Sequence, residues 1–367
     1  MRVGIMLRHI GERGGIVTYS RNIVKSFIRL APQHHFALFY ANARDLGSFA
    51  GPANVSEHLL PSAGKLAWDQ VATPRLAQAL GLDLIFNPKL SVPLMASCPR
   101  ILVLRPEQFV HPELFKPLDR AYFKALMPLY CRAAARVLAP TALAARDIVR
   151  QVGADPRKTV WVHEGCGDHF FAPAPPAAEL EAVRRRYNLP ERYVLFVGGI
   201  TPLKNFERLV QAWALARQKH PIPLVVVGFN RWRFEHDVAF AKTHPAARDI
   251  VFPGFVADQD MPQVYRLATT LFFPSIYEGF GIPIPEAFAT GCPVVTTNRG
   301  CSPEVAGGGA HLVDPFDVQD MARGLARVVG EPDYRQELSA RGLERAPHFH
   351  FDRCGRQTLQ VLEDALG

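Results

Sequence analysis

The sequence predicts an α/β protein built from two doubly wound parallel sheets. Short apolar runs bounded by turn residues alternate with amphipathic helical stretches along the chain, the pattern of strand–helix–strand units. The chain has 367 residues, too many for one hydrophobic core and suited to two domains. A proline-rich segment without period, His169–Pro176 (HFFAPAPP), reads as the linker between them.

The elements follow in order. Arg2–Leu7 reads as a strand, Gly11, Gly14 and Gly15 as a turn, and Ile16–Leu30 as a helix with Tyr19, Ile23 and Phe27 on one face. His35–Tyr40 is a strand, Ala67–Leu80 a helix containing Trp68, and Asp83–Phe86 and Arg100–Leu104 are strands. Leu118–Ala135 is helical, Val137–Ala139 a strand, Thr141 caps a helix to Gln151, and Val160–Val162 ends the half. Beyond the linker come a helix (Ala178–Tyr187) and the strand Tyr193–Val197. Helices over 205–219, 233–243 and 261–268 then alternate with strands over 223–227, 250–252 and 270–273. A last helix covers Arg353–Leu366. The expected domains are 1–170 and 171–350, with 351–367 as a C-terminal segment.

Composition excludes several classes. A hydrophobic content of 48% is that of a globular chain rather than a disordered one. Six cysteines are scattered with no CxxC pair and read as reduced, buried thiols of a cytosolic protein. No apolar run is long enough to span a membrane, and the start, MRVGIMLRHIGERGG, is a strand and turn rather than a signal peptide. The expected location is the cytoplasm. Net charge is +8, with Arg120, Lys124, Arg132 and Arg136 interleaved among Phe123, Leu126, Leu129 and Tyr130. That pattern is an amphipathic basic face, either simply solvated or in peripheral contact with an anionic membrane at its inner surface. With no zinc spacing and no aromatic RNA-binding motif, nucleic acid is not an expected partner.

The most informative stretch is Leu271–Thr297, LFFPSIYEGFGIPIPEAFATGCPVVTT. Buried-strand runs flank a glycine turn and a helix that starts with Pro283 and Pro285, where a missing N–H costs least, and is closed by Gly291. The turn falls where open α/β sheets bind ligands. The helix end is expected to offer free N–H groups to a phosphate or sugar hydroxyl. Glu278, in the turn, is of the type that accepts two hydroxyl hydrogen bonds from a sugar; an ordinary turn glutamate is the alternative. Lys204 lies at another strand–helix corner, where it would neutralise a diphosphate.

EGFGIPIPEAFATGCPVV, with its two glutamates eight positions apart, resembles the retaining glycosyltransferases of family 4. So do YVLFVGGITPLKNFERLVQAW, IVFPGFVADQDMPQVYRLA and GCSPEVAGGGAHLVDPFD. RVLAPTALAARDIV and KTVWVHEGCGDHF resemble the end of that family's first domain. The resemblance implies the GT-B fold: two Rossmann-like doubly wound domains facing a cleft, with the C-terminal helix packing back on the first. It assigns Lys204 to the donor diphosphate and Glu278 to the transferred sugar near its reacting carbon, as the catalytic pair. Glu286 would hold the ribose hydroxyls. Backbone of Gly279, Phe280, Gly281 and Ile282 would face the sugar and phosphates, Gly14 and Gly15 would close over the phosphates, and Gly199 belongs to the donor loop. Gly228 and the loop Phe255–Asp258, with Val256, would line the base.

The chain departs from that family in two places. Leu203 and Gly199 stand where relatives carry an arginine near the lysine, so Arg299 or Arg105 is a candidate for the missing charge. After Ile101–Leu104, relatives carry a His-Asp pair; this chain has Arg105, Pro106 and Glu107, and His111 is the nearby histidine. Arg105 and His111 are therefore the acceptor-side candidates, with His111 also readable as a plain loop histidine. Asp258-Gln259-Asp260 has the spacing of a metal-binding pair, but it precedes a helix and reads as a cap.

The resulting expectation is metal-independent, retaining transfer of a hexose, mannose favoured. The donor would be a nucleotide diphosphate sugar (GDP-mannose, or a UDP-sugar), and no other cofactor is expected. The acceptor would be a glycan or lipid-linked glycan in cell-surface polysaccharide biosynthesis. Front-face attack, with the leaving phosphate taking the proton, fits the resemblance and tolerates the missing histidine. The alternatives are a sugar-nucleotide 2-epimerase, an inactive sugar-nucleotide-binding scaffold and a two-domain sugar receptor.

Overall fold

The computed structural model describes residues 1–12, 14–61, 64–228 and 234–367. The chain forms two compact units, Met1–Gly165 with Phe351–Gly367, and Cys166–His350.

Among the described residues, the first unit holds seven strands in the order β3-β2-β1-β4-β5-β6-β7. They are β1 Arg2–Met6, β2 His35–Tyr40, β3 Val55–Leu59, β4 Leu84–Asn87, β5 Arg100–Val103, β6 Arg136–Ala139 and β7 Thr159–Trp161. Every pairing is parallel; Val3, for instance, lies opposite Phe36 on β2 and Leu84 on β4. Central strands of such sheets are covered on both faces and are apolar throughout. Val3, Ile5, Phe36, Leu38, Leu84 and Phe86 are accordingly buried. The helix Gly15–Leu30 lays Ile23, Val24 and Phe27 on this core. The C-terminal helix, Phe351–Glu363, packs beside it, with the Ser26 hydroxyl donating to the Phe351 carbonyl at 3.2 Å and Arg29 bonding Asp352 at 2.9 Å.

The second unit holds six parallel strands in the order β10-β9-β8-β11-β12-β13. They are β8 Val194–Val197, β9 Leu224–Val227, β10 Ile250–Val251, β11 Thr270–Phe273, β12 Val294–Thr297 and β13 Ala310–Val313. Helices Phe206–Lys219 and Val318–Gly330 cover it, and Trp213 is wholly buried.

The expected elements stand with small shifts at their ends, and three differ more. The helix expected over Ala67–Leu80 is interrupted by a π turn, Trp68–Ala72, in which the Thr73 hydroxyl bonds the Trp68 carbonyl at 2.9 Å. The expected linker His169–Pro176 lies within the second unit; Phe170 is buried and packs edge-on against Tyr265 at 5.8 Å, so apolar burial outweighs the proline-rich composition. The expected helix 233–243 is seen from Phe234 to Thr243, its first residue lying outside the described residues. Among the described residues no helix is long and apolar enough to cross a membrane. All six cysteines are thiols, and five of them are buried.

Candidate active site

The second sheet reverses its strand order between β8 and β11, and ligands of open α/β sheets bind off the carboxyl ends of the strands at such a reversal. The loop after β8 carries Lys204 and the loop after β11 carries Glu278. Lys204 Nζ donates to Glu278 Oε1 at 2.5 Å, and the two side chains are 19% and 13% exposed. The ammonium also lies 4.6 Å from the centre of the Phe273 ring.

Backbone bonds fix this pair. The Ile276 N–H donates to the Leu203 carbonyl at 2.8 Å, joining the two loops. Asn205, next to Lys204, adopts a left-handed conformation (φ 57°) that asparagine tolerates better than most residues. Its amide donates to the carbonyls of Pro274 (3.1 Å) and Pro315 (2.6 Å). Asn205 is buried, and it ties the Lys204 loop to two others, those after β11 and β13. Sequence reading does not reveal this role; the one available signal is an asparagine at a sharp helix entry.

Close backbone packing shapes the floor of the site. At Gly228, after β9, a Cβ would stand 1.9 Å from the Gly198 carbonyl oxygen, so only glycine fits. Gly199 follows in the same partly buried loop. From Glu278 the chain turns through Gly279, Phe280, Gly281 and Ile282 into the helix Pro283–Ala289. Gly281 has φ 85°, and Phe280 anchors the turn in the core, its ring 5.9 Å from that of Phe349.

The first turn of this helix lacks or engages most of its own N–H groups. Pro283 and Pro285 have no N–H, and the Ile284 N–H bonds the Gly281 carbonyl at 2.9 Å. The Glu286 N–H is also engaged, by Ile282 at 3.2 Å. The prolines that signal the helix start in the sequence thus also lower its number of N–H donors; the backbone of Gly279, Phe280, Gly281 and Ile282 lies ahead of it.

Glu286 lies one helical turn further on. Its Oε2 accepts the Tyr265 hydroxyl at 2.7 Å. Burial raises its carboxyl to about 7; the tyrosine bond lowers it, and Asp258 adds to the rise. Tyr265 is the second residue that sequence reading missed, because its partner lies 21 positions away. Phe255 is 70% exposed, whereas the Val256 side chain is in the core, which leaves only Val256 backbone to meet a ligand.

One further expectation, the Asp260 cap, is corrected. Asp260 makes no side-chain cap; its carboxylate accepts Arg186 Nη1 at 2.6 Å and the Tyr187 hydroxyl at 2.7 Å. The 3-10 turn Asp258–Asp260 runs straight into the helix from Met261, so that helix start needs no side-chain cap. Arg299 is exposed and pairs with Asp314 at 3.5 Å.

The remaining candidates belong to the first unit. Gly14 and Gly15 open the helix Gly15–Leu30, with the Gly14 carbonyl accepting the Val17 and Thr18 N–H groups at 2.9 and 3.1 Å. Arg105 is buried and ion-paired with Glu164, stacks 5.0 Å from the Tyr19 ring, and donates to the Pro88 carbonyl at 3.4 Å. Burial pushes the Glu164 carboxyl up and the Arg105 charge offsets part of that. Arg105 is thus a structural charge rather than a free anion ligand. His111 Nδ1 lies 3.1 Å from Glu113 Oε1 in a surface turn, consistent with a loop histidine.

Comparison with known proteins places the site in context. Residues 181–345 match the family described as "Glycosyl transferases group 1". The chain is 31% identical over 259 residues to the O-antigen chain mannosyltransferase B of Escherichia coli, covering 69% of this chain and 67% of that protein. It is 26% identical over 222 residues to the serotype-specific mannosyltransferase WbdA of Escherichia coli, covering 59% of this chain and 27% of WbdA. The crystal structure of Anabaena HepE with UDP and glucose superposes with a TM-score of 0.78 at 18% identity, covering 99% of this chain and 100% of that one. That likeness is one of fold.

Proposed function

Because this chain belongs to the group 1 glycosyl transferases and is a glycosyltransferase of GT-B fold, we propose that it moves a mannosyl residue from GDP-mannose to a glycan. The configuration at the anomeric carbon would be retained and no metal required. The observation that carries the reading is the Lys204–Glu278 contact at the strand reversal of the second sheet. Breaking the anomeric carbon–oxygen bond builds negative charge on the leaving phosphate and positive charge on the sugar. Lys204 stabilises the first. A diphosphate at Lys204 replaces Glu278 as its partner and releases that carboxylate to orient the sugar. Glu278 then orients the sugar without bonding to it, and the reading is front-face attack rather than double displacement. The leaving phosphate then takes the acceptor proton, so no acceptor-side histidine is needed. The engagement of Asp260 by Arg186 and Tyr187 supports the metal-free reading.

The mannosyltransferase names of the relatives support mannose and a role in polysaccharide assembly. A UDP-sugar is the second donor reading, supported by the UDP bound in the HepE structure. The acceptor is read as lipid-linked, at the inner face of a membrane. The helix Pro117–Ala133 supports peripheral contact there. Leu118 is 85% exposed and Leu129 44%, and exposed Lys116, Arg120 and Lys124 stand near them.

Calorimetry with GDP, UDP and GDP-mannose, with and without EDTA, tests the donor. Tight GDP binding that ignores EDTA is expected; a UDP preference replaces the sugar, and no nucleotide binding sinks the reading. Glu278→Ala should abolish transfer with little change in nucleotide affinity, and Glu286→Ala should weaken nucleotide binding. If both variants keep full transfer, the site is wrongly assigned.

A further inference from the structure

The sheet of the first unit also reverses its strand order, between β1 and β4, and its carboxyl ends gather cations. Arg8 follows β1, Lys89 follows β4, and Lys65 begins the short helix Lys65–Ala67. Arg8 Nε lies 3.9 Å from Asp69 Oδ1, Lys89 Nζ lies 2.6 Å from Glu12 Oε2, and Lys65 Nζ sits 4.5 Å from the centre of the Tyr122 ring. Asp69 is buried in the π turn and accepts the Ser91 hydroxyl at 2.9 Å. Arg105, nearby, is matched by Glu164.

Among the described residues, Arg8 and Lys89 are paired with Asp69 and Glu12, whereas no carboxylate lies within ion-pair distance of Lys65. Glu12 is a loose partner, its side chain 56% exposed. Lys65 is held below the usual lysine range by burial, and Arg8 and Lys89 add to that, against the opposing pull of Asp69 and, least of all, Asp119. Buried His9 is pushed down to about 3 by burial and by Lys89, Arg105 and Arg8. Both groups report a positive field at this end of the sheet. The Arg8 and Lys89 side chains are 28% and 23% exposed, open to a ligand yet partly desolvated, where an ionic contact is stronger than at a free surface. A solvated face would instead spread such charges outward.

We propose that these strand ends anchor the acceptor and bind a phosphate ester on it through Arg8, Lys65 and Lys89. The inference rests on the reading of the chain as a transferase whose acceptor enters through the first unit. A phosphate dianion bridges the three cations, and Lys89 exchanges the exposed Glu12 for it. The Tyr122 ring, beside Lys65, offers a flat apolar wall to the group that carries the phosphate. A phosphorylated sugar and the phosphate joining a glycan to a lipid present the same oxygens.

Calorimetry on the full chain saturated with GDP separates these sources, using mannose 6-phosphate, octyl phosphate and uncharged mannose as probes. Both phosphates are expected to bind and mannose is not. Arg8→Gln, Lys65→Gln and Lys89→Gln should each weaken the phosphates about tenfold without changing GDP affinity, and urea melts that match the parent guard against a folding defect. Tighter octyl phosphate assigns the site to lipid phosphate, and tighter mannose 6-phosphate to a phosphorylated sugar; either ordering supports the anchor. Phosphates that bind no better than mannose, or affinities unmoved by all three substitutions, overturn it. The GDP titration tests the donor site on its own.

Discussion

Glu286 gives the proposed donor site a numerical test. Burial holds its carboxyl near 7, with the Asp258 carboxylate pushing the same way and the Tyr265 hydroxyl opposing. Cys166 also feels its charge. A ribose diol donates two hydroxyl hydrogens, and only the ionised carboxylate accepts both freely. With a midpoint near 7, about one tenth of Glu286 is ionised at pH 6 and about nine tenths at pH 8. The folded-state value is raised, so the competent charge appears as pH rises through 7 and is lost as pH falls. Affinity for GDP-mannose should therefore increase about tenfold from pH 6 to pH 8, about 1.4 kcal/mol. The sugar nucleotide is the right titrant, because its diphosphate loses no proton in that range. Calorimetry across pH would show a slope that Glu286→Gln flattens. Tyr265→Phe removes the bond that favours the charged form, so its midpoint should move above that of the parent. A parent protein with pH-independent affinity, or a slope that survives Glu286→Gln, would refute the reasoning.

Gly228→Ala sets a Cβ 1.9 Å from the Gly198 carbonyl oxygen. Urea melts should show a loss of about 1–3 kcal/mol, and nucleotide affinity should fall with it because the Gly198 loop leads to Lys204; unchanged melts would mean the two loops part freely. Asp260→Asn removes the charge from the Arg186 and Tyr187 contacts. It should cost about 1–2 kcal/mol of stability while donor affinity stays the same with or without EDTA. A metal-dependent loss of donor binding in that variant would return Asp260 to the site.

What was legible in the sequence follows from how local each signal is. The strands β8, β9 and β11 are runs of Val, Leu and Phe because both faces are buried, and such runs are visible without knowing the partners. β3 escapes because it is an edge strand, VSEHL, that stays partly exposed and carries polar residues at its centre. β13, at the opposite kind of edge, hides behind Gly307–Gly309. Lys204, Glu278 and Glu286 are readable because each sits on a strand–turn–helix whose ends are marked by glycine and proline. Asn205 and Tyr265 are not, since their work depends on partners 69, 110 and 21 positions away. Arg105 shows the same limit: a cation at a strand end invites an anion, and its native partner, Glu164, lies 59 residues downstream.

The chain's two crossings, at Gly165–Cys166 and His350–Phe351, nest the second unit inside the first. Residues 166–350 are one unbroken segment, whereas the first unit lacks Phe351, Cys354, Leu359 and Leu362 of its core until residues 351–367 arrive. Domains generally fold during synthesis in N-terminal order; here the unit that begins first is completed last. The ribosome releases a finished second unit while the first still exposes the apolar face beside Ser26 and Phe27. A nascent chain halted before residue 351 would present that apolar strip to chaperones, and a cut near His350 would disable the half of the molecule farther from it in sequence.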